Sequence, residues 1–198
     1  MGLPSMLAMG LGLLALTPGH VTRMQGLCWR TAEPFSTPEP VGLDALAVGF
    51  PAGVPFERQR FSITAVRFGP EASSTKAGMT PGELRAYVRS IFLAAGPGGG
   101  PIRRTLLGRP VDGDSFTTSI PRPRLGEIYA LPLASGETVV LGFSMPVEAR
   151  AQGEALLTEV VTTLREADNG DPSCGGRPSG SDDGNRSNAS GLSEGAWR

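Results

Sequence analysis

Residues 127–168 constrain the fold most, because they read in succession as two strands, a tight turn and a long amphipathic helix. Ile128, Tyr129, Leu131 and Leu133, then Thr138, Val139, Val140, Leu141 and Phe143, are strand formers. Ser135-Gly136 between them supplies a hairpin turn in which Gly136 takes a positive φ. Val139, Leu141 and Phe143 share one face of the second strand at period two. Pro132 lacks a backbone donor, so the first strand is expected at an edge or kinked. Beyond Pro146 the period changes. Leu156, Leu157, Val160, Val161 and Leu164 repeat as a helical stripe that must be buried, and Asn169-Gly170 is a helix stop. A helix that follows a strand in this way folds back over the sheet.

The upstream chain supplies the remaining elements. Strands are expected over 43–50 and 61–68, with a turn at 51–55. Thr80-Pro81-Gly82-Glu83 is a helix start: Thr80 caps, Pro81 suits the first helical position and Glu83 completes a capping box. Leu84, Tyr87, Val88, Ile91 and Phe92 then mark one helical face, ended by the Gly/Pro run at 96–101. Strands over 102–107 and 115–120, joined through a loop at 108–114, lead to the hairpin. The expected fold is α+β in the order ββ-α-ββ-ββ-α. It is an antiparallel sheet of about five to six strands with both helices packed on one face.

The two ends read differently. Residues 6–16 are apolar, too short to span a bilayer but of the length of a signal-peptide core. Thr17-Pro18-Gly19 places small residues where a signal peptidase cuts; residues 1–5 carry no Lys or Arg, and Met24 is an alternative start. The expected organisation is a signal peptide at 1–19, a Pro-rich linker at 20–42 and the α+β domain at 43–168. A disordered Gly/Ser/Asp-rich tail at 169–198 completes it. This predicts a periplasmic or secreted protein, with a cytoplasmic one as the alternative, and membrane contact only through an uncleaved signal segment. Cys28 and Cys174 flank the domain, and export would let them pair as a disulfide.

Composition removes several chemistries. A net charge of −1 does not support nucleic-acid binding. His20 is the sole histidine and lies ahead of the domain, which leaves no base for a Ser-His-Asp or Cys-His mechanism and no His/Cys zinc set. The run at 96–101 lacks the Lys and Ser/Thr of a P-loop, so no cofactor is expected. Gly113-Asp114-Ser115 spells the start of a GDS-type hydrolase motif. Without histidine, a Ser115 nucleophile needs Asp112 or Asp114, and a turn feeding a strand is the simpler reading. Lys76 is the sole lysine, so positive charge is carried by arginine. Arg103, Arg104, Arg109, Arg122 and Arg124 are candidate anion ligands if neighbouring strands bring them together; otherwise they are solvated charges that protect strand ends.

Phe50-Pro51-Ala52-Gly53, Arg60-Phe61-Ser62-Ile63, the capped helix from Thr80 and the strand Gly136-Glu137-Thr138-Val139-Val140-Leu141-Gly142-Phe143 with its closing helix follow one another over residues 43–167. In this order the chain resembles the PsbP-like family of small α+β domains, which includes bacterial lipoprotein-type members. The resemblance implies a binding or assembly accessory without catalysis, and it carries no functional residue over. The leading expectation is an exported, non-enzymatic binding or accessory domain for an unknown protein or small anionic ligand. The alternatives are a cytosolic protein–protein adaptor and a histidine-free hydrolase using Ser115.

Overall fold

The structure, a computed structural model, describes residues 19–42, 44–70, 79–92, 99–119, 122–167 and Cys174. Its strands are β1 (His20–Met24), β2 (Leu27–Thr31), β3 (Glu39–Gly42), β4 (Ala45–Phe50) and β5 (Phe61–Phe68). After helix α1 (Pro81–Phe92) come β6 (Pro101–Leu106), β7 (Arg109–Thr118), β8 (Arg124–Pro132) and β9 (Thr138–Pro146). Helix α2 (Arg150–Thr163) and the short β10 (Arg165–Glu166) complete the described chain. Two 3-10 turns, Phe56–Arg58 and Val147–Ala149, precede β5 and α2.

The hairpin foreseen at the end of the domain is the centre of the fold. β8 and β9 pair from Arg124↔Pro146 to Pro132↔Thr138, and Gly136 in their turn has φ 83°. All pairings are antiparallel, and the strands form a seven-stranded sheet, β3-β4-β5-β9-β8-β7-β6, and a three-stranded one, β1-β2-β10. β8 is therefore internal and not an edge strand. Pro132 is tolerated because it lies past Tyr129, the last β8 residue paired with β7.

The central strand decides where the helices go. From Val139 to Pro146 every residue of β9 is buried. Val139, Leu141, Phe143 and Met145 join one core with Leu157, Val160 and Leu164 of the α2 segment, and with Leu27, Trp29 and Phe35. Val140 joins the other, with Ile128, Phe116 and Val66 under Leu84 and Val88 of α1. The two helices thus cover opposite faces, not one. A single layer would leave Val140, Ile128 and Phe116 in water, at a cost of about 1.5–3 kcal/mol each. The capping box of α1 forms as expected: Thr80 N–H and Oγ1 donate to the Glu83 carboxylate at 2.6 and 2.9 Å. These bonds hold the Glu83 carboxyl below the usual range.

Residues 20–42 correct the linker expectation. β1 and β2 form a hairpin through Gln25 and Gly26, both at positive φ (52° and 78°), the signature of a tight primed turn. Met24, Leu27 and Trp29 supply its buried face, and Trp29 sits edge-on to Phe35 at 6.0 Å. The prolines that suggested a linker fall between β2 and β3 or on the edge strand β3, where a missing donor breaks no ladder. The loop expected at 108–114 is likewise strand. Leu107 and Gly108 (φ 52° and 73°) make the turn, and Gly113 is needed because a Cβ there would lie 2.5 Å from the Tyr129 ring. α2 ends earlier than the sequence suggests. Leu164 turns extended and fully buried, and Arg165 and Glu166 pair with Cys28 and Leu27; Asn169-Gly170 lies outside the described residues.

Cys28 and Cys174 are joined as a disulfide with Cα atoms 5.8 Å apart, and both are buried. Arg23 Nε donates to the Cys174 carbonyl at 2.7 Å, so this point of the tail is tied to the small sheet. Otherwise the expected tail and all but Gly19 of the expected signal peptide at 1–19 lie outside the described residues. The bond closes a sequence separation of 146, for which loop entropy in the unfolded chain corresponds to about 5 kcal/mol at most. The Cys28→Ser/Cys174→Ser protein is expected to melt at markedly lower temperature than the oxidised parent in calorimetry. An unchanged melting temperature would show that the bond constrains only the tail.

Candidate functional site

The five arginines do not converge. Arg124 opens β8 opposite Thr118 of β7, while Arg103 and Arg104 of β6 lie opposite Asp112 and Val111. Six to seven residues of β7 separate the two groups, about 20 Å at the rise of a strand. Arg103 is exposed and paired with Asp112 at 2.6 Å, which draws the Asp112 carboxyl below its ordinary range. Arg109 donates to the Pro132 carbonyl beside the β6–β7 turn. Each is committed locally, because adjacent strand residues face opposite sides.

Arg104 has a carboxylate partner. Its Nε and Nη2 donate to the two oxygens of Glu127 at 2.9 and 2.7 Å, and Tyr129 OH donates to Glu127 Oε2 at 2.7 Å. The fork matches carboxylate geometry, and the Glu127 bond raises the proton affinity of Arg104. Burial, then the bond to Glu127, raises the Tyr129 phenol well above its ordinary value.

Beside this triad a groove of about 230 Å3 lies between the sheet and the start of α2, lined by Ser115, Thr117, Leu125, Glu127, Met145 and Arg150. Ser115 is not activated there. Its Oγ accepts from Gly100 N–H at 2.9 Å and donates to Gly100 O at 3.1 Å. Asp112 is held by Arg103 and Asp114 by Arg85, so neither carboxylate proposed for a Ser115 mechanism reaches it. Among the described residues no group of three or more His, Cys, Asp or Glu is arranged to hold a metal ion.

Arg124 is the unusual group. It is only 3% exposed, yet its acceptors are neutral: Ser144 Oγ and Ser144 O at 3.0 Å, Ser62 Oγ at 3.1 Å and Gln59 O at 3.4 Å. Ser62 and Ser144 face each other across β5 and β9, their Oγ atoms 2.9 Å apart, and both lie on the α1 face of the sheet. Arg122 stands next to it, bonded to Glu148 at 2.9 Å and reaching Gln59 O at 3.3 Å. The buried Nε of Arg122 has no acceptor among the described residues. Burial, reinforced by Arg122, pushes the Arg124 proton affinity down to about 10, which still leaves it charged at neutral pH.

The Phe56 ring covers the Arg124 guanidinium at 5.0 Å and is itself 46% exposed; Val147, in the second 3-10 turn, is 47% exposed. The two turns meet Arg122 and Arg124 at one end of the sheet: Val147 N–H donates to the Pro123 carbonyl. The sequence flagged Arg122 and Arg124 but not Phe56, Gln59, Ser62, Ser144 or Val147. The available signal was serine among the mostly apolar residues of two strands.

No family model matches the chain, and no curated protein matches it. Solved structures similar to it include a Mog1 E65A mutant, at a TM-score of 0.48 and 11% identity over 77% of this chain and 97% of that one. Another is the Saccharomyces cerevisiae Ran-binding protein Mog1p, at 0.46 and 12% over 76% and 97%. A third is LpqN of Mycobacterium tuberculosis, involved in cell envelope biogenesis, at 0.38 and 11% over 76% and 86%. Likenesses at these scores and identities assign neither family nor activity to this chain.

The half-buried Arg104 and the buried Arg124 are expected to respond differently to mutation. Glu127→Ala leaves the half-buried Arg104 charge and the Tyr129 hydroxyl without their acceptor, and should cost about 2 kcal/mol in denaturant unfolding. Arg124→Met removes a buried charge without stranding a carboxylate, and should cost under about 1 kcal/mol. Equal losses would contradict the distinction. Tyr129 has a pH signature. Its folded pKa lies above the unfolded value of about 10, so its contribution to stability is full below that pH and is lost as pH rises. In a Tyr87→Phe background the ultraviolet signal of tyrosinate should stay absent to about pH 11 and appear only with unfolding.

Proposed function

We propose that the chain is an exported, non-catalytic binding domain that docks a partner protein at the sheet end formed by Phe56, Val147, Arg122 and Arg124. The observation that carries this reading is the pair of exposed apolar side chains flanking an incompletely satisfied arginine pair. Aromatic residues and arginine are the side chains that dominate binding energy at interfaces. The charge there selects the partner's chemistry. Arg58, Arg60, Arg122 and Arg124 stand against Glu57 and Glu148, so an acidic surface with an apolar centre is the complement. Both 3-10 turns lie on loops set by rigid strands, where binding residues commonly sit.

Two features support export. Disulfides such as the buried Cys28–Cys174 bond persist mainly in oxidising compartments, and His20, next to the proposed cleavage point, is the first residue of β1. Photo-crosslinking from positions 56 and 147 in the extracytoplasmic fraction is expected to yield one and the same adduct. Position 41, whose valine is 49% exposed elsewhere, should not yield it. Equal capture from all three positions would sink the docking reading. Intact mass of the protein from its own cells should show an oxidised form beginning near His20; a reduced full-length form in the cytosol would sink export.

A further inference from the structure

We infer that Arg122 and Arg124 form a concealed carboxylate-binding site, opened when Phe56 is displaced from the Arg124 guanidinium. The inference rests on the docking reading above and names the group that the partner contributes. Three observations converge on it. Arg124 is buried with neutral acceptors alone, so no carboxylate is hydrogen-bonded to its charge. Arg122 Nε is buried and has no acceptor among the described residues. The two guanidinium groups share the Gln59 carbonyl through long contacts of 3.3 and 3.4 Å, at the outer limit of a useful hydrogen bond. A bidentate carboxylate would replace these weak contacts with short charge-assisted ones and take up the free Arg122 donor.

The cover is built to move. The turn Phe56–Arg58 buries none of its residues and has no side-chain cap, and it is held by the backbone bonds Arg58 N–H to Pro55 O and Gln59 N–H to Phe56 O. Lifting the Phe56 ring therefore exposes Arg124 with little loss of core packing. The displaced ring and the exposed Val147 are then both free to meet an apolar neighbour of the incoming carboxylate. A single negative charge suits the site better than a phosphate dianion. Glu148 already neutralises one of the two arginines, and a second full charge would be repelled by it.

The test is side-chain NMR of arginine-labelled protein, following the Nε–H resonances of Arg122 and Arg124, assigned with single variants. Sodium acetate and the peptide Ac-Glu-Phe-NH2 are titrated separately, with inorganic phosphate as the comparison. Both resonances are expected to move with acetate and with the peptide, and less with phosphate. Phe56→Ala should lower the acetate midpoint several-fold, because the cover is gone. Arg124→Met should weaken the peptide by about tenfold or more. A peptide tighter than acetate assigns the carboxylate to a protein segment; equal midpoints assign it to a free small carboxylate. Resonances unmoved by acetate in both the parent and Phe56→Ala overturn the inference, and the Phe56→Ala arm decides even if Arg124→Met fails to fold. Failure of the docking reading looks different: carboxylate shifts would persist while positions 56 and 147 capture no common partner.

Discussion

β9 is the constraint on which the rest of the fold depends. A strand whose residues are buried on both faces needs a covering layer on each side, and neither layer is sufficient alone. On one side Val139, Leu141, Phe143 and Met145 require α2 and the small β1-β2-β10 sheet. On the other, Val140 and its neighbours Ile128 and Phe116 require α1. The N-terminal hairpin is thereby part of the domain. Trp29 and Leu27 are almost wholly buried against a surface made 100 residues later in the chain. The disulfide from Cys28 then fixes Cys174 to this same corner.

Against this packed background the environments of the half-buried Arg104 and the buried Arg124 differ in kind. Arg104, Glu127 and Tyr129 form a closed set: the guanidinium fork meets both carboxylate oxygens, and the phenol takes a remaining lone pair. Such a set fixes the position of β6 on β7 and β8 and offers nothing to a ligand. Arg124 and Arg122 form an open set. Arg124 has only serine hydroxyls and backbone carbonyls as acceptors, Arg122 adds the Glu148 carboxylate but leaves one donor unused, and the covering ring faces solvent. A fold selected for stability alone gains little from a buried charge held this way, since an apolar side chain of similar volume would fill the space. Departures from local consistency of this type are expected where a protein binds.

The legible parts of the sequence were those whose signal is local. The α1 capping box depends on Thr80 and Glu83 three positions apart, and the β8–β9 turn on Gly136; both formed where the residues indicated. The β5 strand over residues 61–68 and the apolar stripe of α2 were equally direct. The misread parts have specific causes. Gln25-Gly26 and Leu107-Gly108 make primed turns without the usual Asn or Asp, so the hairpins they close were read as linker and loop. Asp112-Gly113-Asp114 looks like a turn, but Gly113 is small to admit the Tyr129 ring, and both acids serve as arginine partners. The candidate site was half visible. Arg122 and Arg124 were marked by type, while the pairing of Arg103, Arg104 and Arg109 elsewhere could not be read without strand order.

The sequence by itself determined the α+β class, most of the strands and both helices. Those follow from periodicity, capping chemistry and composition, which act over a few residues or over none. Only the tertiary structure decided that the helices lie on opposite faces and that Met24, Leu27, Trp29 and Phe35 belong to the core. It alone showed Arg104 to be paired with a carboxylate and Arg124 to be held by neutral acceptors. These depend on which strands become neighbours and in what register. Register brings Ser62 to Arg124 and Ser144, which lie 62 and 82 residues further along the chain, and no local pattern encodes that meeting.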